Sequence, residues 1–321
     1  MRRNALLALG TVWLLAGPNG AFAQQVADPD FDAKVARPAY ADQGPTVLID
    51  EAHNNFHTAG ERYKPFADLV ANDGYRVVRN RKAFAPGTLG GADALVVANA
   101  LGAPRMNDPE ATKPAFTAAE CDAVRDWVRA GGALLLVTDH HPLCEASEAL
   151  GARFGVGFGK FATFDPPNRE PGYSPATLVF ARHNELLGEH PILRGRDESE
   201  QIDRVVTFAG QSLSGPPGST LLLKLSETAV DRPVPGQAGE PKPAAGRAQG
   251  LALTFGKGRV VVLGEAGMLS AQLNGPQQRP MGMNLPGSDN RQLALNIMHW
   301  LSALPAGKPA GLAAKPAPGP A

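Results

Sequence analysis

The amino-acid sequence predicts an α/β fold in which a mostly parallel sheet carries helices on both faces and the second half of the chain adds further strands. Three observations lead to this prediction. In the first half, short apolar runs alternate with helical patterns, as in parallel strands joined by crossover helices. In the second half, apolar runs follow one another with few helices between them. The chain has 321 residues, enough for one large domain or two small ones.

The first strand is predicted at 46–50, where TVLID is apolar throughout. It is followed by a helix over 61–72, in which Tyr63, Phe66 and Val70 fall on one face. The same alternation then continues toward the middle of the chain. Further strands are predicted at 75–80, 94–100 and 133–141.

Two more helices complete the first half. One begins at Thr117, because Glu120 stands three residues further on in a capping-box arrangement. Gly131 and Gly132 end it, since glycine is the residue most common just beyond a helix. The other is predicted over 143–154. Both are placed as crossover helices between buried strands.

The second half is predicted to be mainly β-structure. A Pro/Gly-rich stretch over 231–248 has no periodicity, and glycines at the turn 256–258 join two apolar runs into a hairpin. A last helix over 289–304 closes the fold, with Leu293 and Ile297 on its apolar face. The other strand candidates are the runs TLVFA, VVTFAG and TLLLKLS.

The N-terminus has the features of a cleavable export signal. Arg2 and Arg3 precede the apolar run 5–17, and small residues lead up to Ala23. The alternative is a membrane anchor, but this run is shorter than the roughly 20 residues that a spanning helix needs. We therefore expect a signal peptide at 1–23 and a periplasmic or secreted protein without a transmembrane segment after cleavage.

Two flanking segments are expected to be flexible. Residues 24–44 are polar and irregular, and residues 305–321 are almost entirely Pro, Ala, Gly and Lys. The predicted organisation is therefore a single α/β domain over 45–304 between a flexible N-terminal segment and a disordered tail.

Composition narrows the classes of partner and of chemistry. A formal net charge of +0 removes the electrostatic case for binding nucleic acid. Cys121 and Cys144 are the two cysteines, and in an exported protein they would meet oxidising conditions. Their spacing leaves two alternatives open, a disulfide or two buried thiols. The oligomeric state is left open as well.

Polar side chains gather where three predicted strands end. In open α/β sheets, ligands bind just beyond the carboxyl ends of the parallel strands. Here these ends read DEAHNNFHT (50–58), TDHHP (138–142) and VVVLGEAGM (260–268). If they are neighbours, their side chains share one cleft. The predicted catalytic residues are Glu51, His53, His57, Asp139, His140 and Glu265.

This cleft could work with or without a metal. Imidazole and carboxylate ligands suit zinc and similar divalent ions, and a metal-bound water would be acidified. Without metal, His and Glu within hydrogen-bond distance serve as acid and base. The metal ligands would be His53, His57, Asp139 and His140. The substrate-binding residues would be Asn54, Asn55, His141, Arg194, Asn284 and Asn290.

Each of these residues also has a structural explanation. Asp50 and Asp139 can cap the helices that follow them, and the histidines can bond to loop backbone groups. The case for function rests on the whole cluster. The spacing matches no standard zinc motif such as HExxH, so the metal alternative stays open rather than favoured.

Six strings in order carry a family resemblance: VLIDEAHNNFHT, TDHHP, EHPILRGR, TFAGQS, GEAGMLSAQ and GMNLPGSDNRQLALNIMHWL. Over about residues 45–303 the chain resembles uncharacterised exported bacterial proteins of the class I glutamine amidotransferase-like superfamily, near the domains of gliding-motility and intraflagellar-transport proteins. The resemblance implies a flavodoxin-like sheet with an added β portion.

The resemblance does not imply glutaminase activity. The turn that would hold the nucleophilic cysteine reads Thr138, Asp139, His140, His141, and Cys144 lies three residues beyond it. We expect a hydrolase that uses the His/carboxylate cleft. The alternative is a non-catalytic module whose cleft binds a small molecule, a glycan or a peptide.

Overall fold

A computed structural model describes residues 25–304, so the predicted signal peptide (1–23) and tail (305–321) lie outside the described residues. The helices are α1 (Lys64–Asn72), α2 (Pro86–Leu89), α3 (Ala118–Ala130), α4 (Leu143–Ala152), α5 (Pro191–Arg194) and α6 (Asn290–Leu301). The strands are β1 (Gln25–Ala27), β2 (Thr46–Asp50), β3 (Arg76–Asn80), β4 (Ala94–Ala98), β5 (Ala133–Val137), β6 (Gly157–Phe158), β7 (Ala162–Phe164), β8 (Thr177–Ala181), β9 (Arg204–Phe208), β10 (Leu213–Ser214), β11 (Thr220–Lys224), β12 (Val230–Arg232), β13 (Lys242–Pro243), β14 (Ala248–Phe255), β15 (Gly258–Leu263), β16 (Ala271–Asn274) and β17 (Arg279–Gly282).

The central sheet has nine strands, and five of them are parallel neighbours in the order β3-β2-β4-β5-β15. This order is that of doubly wound, flavodoxin-like sheets. Beyond β15 the sheet continues through antiparallel strands β14, β10 and β6, and β11 also pairs with β14. The predicted mixed α/β fold, with a parallel core and added antiparallel strands, is confirmed.

Helices cover both faces of the parallel strands, as predicted. In β5, Leu135 and Val137 join the core that includes α1 and α6, whereas Leu134 and Leu136 join the core of α3 and α4. All four side chains are fully buried. Burying each one contributes about 1.5–3 kcal/mol, which is why a strand between two layers reads as a continuous apolar run.

The helix boundaries follow the local chemistry. The Thr117 hydroxyl accepts the Glu120 backbone N–H, and the Glu120 carboxylate accepts the Thr117 N–H, so the predicted capping box starts α3. Helix α1 begins at Lys64, three residues later than predicted, because 61–63 form a turn in which the Tyr63 N–H bonds to Thr58. Within 25–304 no helix has the length and apolar composition needed to cross a bilayer.

The segment 25–44, expected to be a flexible linker, lies against the domain in the structure. Its strand β1 pairs with β16. Further along, the Ala39 N–H donates to the buried Asp73 carboxylate, and Arg37 bonds to Glu200. Composition alone missed these contacts because their partners lie far away in the sequence.

The second half adds three small sheets: β1-β16-β17, β13-β12-β7 and the pair β8-β9. The predicted hairpin is confirmed, since β14 and β15 pair from Gly250 with Leu263 to Phe255 with Gly258. Gly256 has a positive φ of 62°, and a Cβ there would meet the Arg129 carbonyl oxygen at 2.6 Å. This hairpin places β15 beside β5. The carboxyl end of β15 therefore lies at the same edge of the sheet as the carboxyl ends of β2, β4 and β5.

Candidate functional site

The carboxyl ends of four neighbouring strands form one polar edge, which we call the carboxyl edge. Asp50 ends β2, Asn99 follows β4, Asp139 lies two residues beyond β5, and Glu265 lies two residues beyond β15. These strands are adjacent in the order β2-β4-β5-β15. The strand-end rule therefore located the polar edge correctly.

Asn99 connects two of the predicted site residues. Its side-chain carbonyl accepts the Asp139 backbone N–H at 2.8 Å, which fixes Nδ2 as the donating end of the amide. Nδ2 then donates to the Asp139 carboxylate at 2.6 Å and to His57 Nδ1 at 3.1 Å. Asn99 is fully buried with a positive φ of 50°, a conformation that asparagine tolerates better than most residues. His57 and Asp139 are thus held on one amide group.

Glu265 is the second carboxyl group of this edge and is 1% exposed. Its oxygens accept the backbone N–H groups of Gly267 and Met268. Burial, reinforced by the charge of Asp139, raises the pKa of Glu265 well above its usual value. Burial also raises the pKa of the half-buried Asp139. Because the two groups are close, the charge of Asp139 disfavours ionisation of Glu265.

His57 is held as the neutral imidazole. Burial, assisted by the charge of Arg62, lowers the pKa of His57 to about 3. Because Nδ1 accepts a hydrogen bond from Asn99, the proton of the neutral ring is on Nε2. This Nε2–H is buried and has no partner within the described residues. His57 thus offers one unused donor beside the two carboxyl groups.

The lowered pKa of His57 predicts an acid-dependent loss of stability. Between pH 6.5 and about 3 the unfolded chain binds a proton that the folded protein refuses, so the free energy of unfolding falls as the pH falls. Compared with His57→Gln, the free energy of unfolding of the wild type should fall by up to ~1.4 kcal/mol for each pH unit of acidification in this window. Urea unfolding between pH 4 and pH 7.5 measures the difference. The control is His183→Gln, at an exposed position, which should keep the pH dependence of the wild type. If the free energy of unfolding varied equally little with pH in both variants, the assignment to His57 would be contradicted.

His53 belongs to a separate buried cluster. Its Nδ1 bonds to Asp50 at 2.8 Å and its Nε2 to Glu120 at 2.9 Å, with the rings of Phe84 and Phe116 on either side at 4.6 and 4.7 Å. Although burial opposes it, the hydrogen bonds and charges of Asp50 and Glu120 raise the pKa of His53. Both ring nitrogens are occupied, so His53 ties the loop after β2 to α3. The predicted catalytic role of His53 is not supported by this geometry.

The neighbouring residues of the same loop have structural contacts as well. Glu51 accepts hydrogen bonds from Arg79 and Arg81, which turns it away from Asp139 and toward the edge strand β3. Asn55 is buried and accepts the His53 N–H, whereas Asn54 is exposed with a positive φ of 49°. Glu51, Asn54 and Asn55 shape the loop instead of converging with Asp139 and Glu265.

The turn after β5 carries two half-buried histidines. His140 Nδ1–H donates to the His141 carbonyl oxygen, which leaves Nε2 of His140 free. His141 bonds to Glu145, which also accepts the Cys144 thiol at 3.0 Å. Burial raises the pKa of Cys144, so the thiol is held protonated. Cys121 and Cys144 are both buried and free, which matches the two-thiol alternative.

Three predicted substrate-binding residues lie outside the carboxyl edge. Arg194 is exposed on the short helix α5. Asn284 donates to Asp28 and to the Gln272 carbonyl, so it ties the N-terminal strand to the small sheet beside it. Asn290 is buried at the start of α6 and bonds to the backbone of Val206. Asn284 and Asn290 therefore have structural contacts of their own, and Arg194 lies at the surface.

The predicted metal ligands do not form a metal site. His53 has both nitrogens bonded to carboxylates, and His57 and Asp139 face the amide of Asn99 between them. Within residues 25–304, no group of three His, Cys, Asp or Glu side chains is arranged to hold a metal ion. The donor set therefore does not fit zinc, and we derive no step through a metal.

Sequence reasoning missed several residues of the carboxyl edge. The predicted strand 94–100 includes Asn99, but β4 ends at Ala98, so Asn99 is the first residue beyond the strand and belongs to the carboxyl edge. Gln211 donates to the carbonyls of Thr138 and Asp139 and fixes the turn after β5. Tyr63 was read only as a core residue, yet its hydroxyl donates to the Ala266 carbonyl beside Glu265.

Comparison with known proteins yields structural matches only. No protein-family model and no curated protein sequence matches the chain. The mmIFT52 N-terminal domain is similar over 80% of this chain and 97% of that domain, with 16% sequence identity and a TM-score of 0.55. The IFT52 likeness shows the fold alone. It supports, at that level, the intraflagellar-transport part of the resemblance.

Two further structures are more distant. A protein described as ThuA-like, from Bacteroides uniformis, is 13% identical over 83% of this chain and 93% of that one, with a TM-score of 0.41. A protein from Thermoplasma acidophilum, described as part of a GMP synthase, is 12% identical over 81% and 94%, also with a TM-score of 0.41. We draw nothing about the site from either.

Proposed function

We propose that this chain is an exported hydrolase with an amidotransferase-like fold, in which Asp139 acts as a general base without a thiol nucleophile or a metal. One observation carries the proposal. At the carboxyl edge, a half-buried carboxylate with a raised pKa lies beside a buried carboxyl group whose pKa is raised well above its usual value and beside a neutral imidazole. Carboxyl groups tuned toward neutral pH are typical of acid–base sites, because proton transfer works best when the pKa is near the working pH.

The proposed step uses water as the nucleophile. Asp139 takes a proton from a water molecule, and the water oxygen forms a bond to the electrophilic atom of the substrate. The bond to the leaving group then breaks, and the leaving group takes the proton that Asp139 has gained, which restores the carboxylate. His140, whose Nε2 is free, can form a hydrogen bond to the substrate in this step. Asn99 orients Asp139 through two hydrogen bonds, which fixes the base before the substrate arrives.

A panel of hydrolysable substrates tests this proposal. The purified mature protein should cleave at least one class among esters, amides, glycosides and phosphoesters, and Asp139→Asn should abolish that turnover. Asp68→Asn, a surface change on α1 where the carboxylate pairs with Lys64, should keep it. Turnover that is equal in Asp139→Asn and in the wild type would refute Asp139 as the base.

A non-catalytic binding module is the second candidate, and one observation favours it. Each carboxyl oxygen of Asp139 and Glu265 already accepts a hydrogen bond from the protein. A site of this kind is rigid, and it could hold a ligand without transferring protons. Saturable ligand binding without turnover of any substrate class in the panel would favour this candidate.

A further inference from the structure

Arg62 is a half-buried arginine at the carboxyl edge that the proposed proton transfers do not use. It lies in the loop between β2 and α1, next to the buried Tyr63. Its guanidinium carbon lies 3.9 Å from the ring centroid of Phe56, and Nη1 donates to the Phe56 carbonyl at 3.4 Å. The ring and the carbonyl hold the guanidinium in one orientation, so Arg62 is preorganised before any ligand arrives.

The guanidinium of Arg62 lies near one carboxylate charge, that of the adjacent Glu61, but is not paired with it. Within residues 25–304 it forms no ion pair, its Nε is buried without an acceptor, and its Nη2 makes no hydrogen bond. Arginines nearby behave differently, since Arg79 and Arg81 both pair with Glu51. Burial accordingly lowers the pKa of Arg62. A half-buried cation without an ion-pair partner is partly desolvated, and an incoming anion would recover part of that cost.

Arg62 is also close to the proposed chemistry. The Phe56 ring on which it stacks lies 5.4 Å, centroid to centroid, from the ring of His57. His57 and Asp139 share the amide of Asn99. An anionic group held by Arg62 would therefore lie at the same edge as the proposed base.

We propose that Arg62 binds an oxyanion, a carboxylate or a phosphate group, of the molecule that the carboxyl edge receives. A planar guanidinium whose Nη2 makes no hydrogen bond presents free N–H donors together with a positive charge, which match an oxygen of such a group. The binding claim stands on Arg62 itself, whereas the statement that the bound molecule is a hydrolase substrate rests on the proposed function. Neutral esters and glycosides would lack this contact.

Calorimetric titration of the mature protein with inorganic phosphate and with malonate tests the site. At low ionic strength, where surface screening is weak, both anions should bind saturably to the wild type. Arg62→Gln should weaken binding about tenfold or more, and Arg62→Lys should give an intermediate loss because it keeps the charge without the fork. The matched control is Arg232→Gln, since exposed Arg232 also stacks on a ring, that of Phe164, in the small sheet of β12. Thermal unfolding checks that each variant is folded.

The outcomes separate this inference from the proposed function. Saturable anion binding that needs Arg62, without turnover of any substrate, would support the inference and reject the hydrolase. Turnover that needs Asp139, combined with anion binding that is equal in Arg62→Gln and in the wild type, would support the hydrolase and reject the inference about Arg62. Absence of saturable binding of either anion to the wild type would overturn the inference outright. If both proposals hold, Arg62→Gln should raise KM for anionic substrates more than for neutral ones.

Discussion

Replacing His53 with phenylalanine is expected to lower the free energy of unfolding by about 3–5 kcal/mol. The imidazole bridges Asp50 and Glu120, whose carboxylates are 0% and 12% exposed. Phenylalanine keeps the contacts with the flanking rings of Phe84 and Phe116 but leaves two buried carboxylates without their shared partner. Equilibrium urea unfolding at pH 6 measures the loss.

The pH dependence gives this prediction a second readout. The pKa of His53 is raised in the folded protein, so its stabilisation is complete below the ordinary pKa of 6.5 and is lost as the pH rises through the folded-state value. The difference in the free energy of unfolding between the wild type and His53→Phe should therefore become smaller in alkaline solution. The control is the exposed His183→Phe, which should change stability by less than about 0.5 kcal/mol. A loss below about 1 kcal/mol for His53→Phe would mean that the cluster is not a structural tie.

Asp139→Asn is expected to lower kcat by about 10²–10⁴-fold on any substrate that the wild type cleaves. The amide cannot accept the proton from water, and its NH₂ group would face the donating Nδ2 of Asn99. The variant should therefore also lose about 1–2 kcal/mol of stability, because Asn99 cannot rotate without giving up the Asp139 N–H. Rates are to be compared per folded molecule, with Asp68→Asn as the matched surface change.

The pH profile distinguishes a base from a purely structural carboxylate. Because the pKa of Asp139 is raised, kcat/KM of the wild type should fall on the acidic side at a pH above the ordinary carboxyl range. Any residual rate of Asp139→Asn should lack this acidic limb. A residual rate that keeps the limb would assign the titration to another group.

The sequence could predict features that depend on local patterns. The apolar run 133–137 indicates a strand buried on both faces, and Thr117 with Glu120 indicates where a helix begins. The rule that ligand groups follow parallel strands placed Asp139 and Glu265 at one edge, although 126 positions separate them. Periodicity and helix capping depend on residues close together in the sequence, so they can be recognised without a structure.

The partners of individual side chains could not be predicted in the same way. His53 and His57 stand four residues apart, yet one bonds to Glu120 and the other to Asn99, and neither partner is near in the sequence. Composition marks both histidines as site candidates, and only the fold separates a structural tie from a member of the site. Arg62 was missed because its significance lies in a missing carboxylate, and a missing partner leaves no pattern in the sequence.

The position of β15 in the central sheet bears on how the protein acquires its native state. This strand covers the side of β5 away from β4, yet 120 residues lie between the end of β5 at Val137 and the start of β15 at Gly258. While the chain is being synthesised, β5 therefore presents a row of unpaired backbone groups between apolar side chains until the last quarter of the sequence is available. The hydrogen bond from the Ala266 N–H to Asp139, which brings Glu265 to this edge, must form late, because it joins residues far apart in the sequence. The nascent chain is therefore expected to expose the apolar segment Leu134–Val137 until β15 has been synthesised.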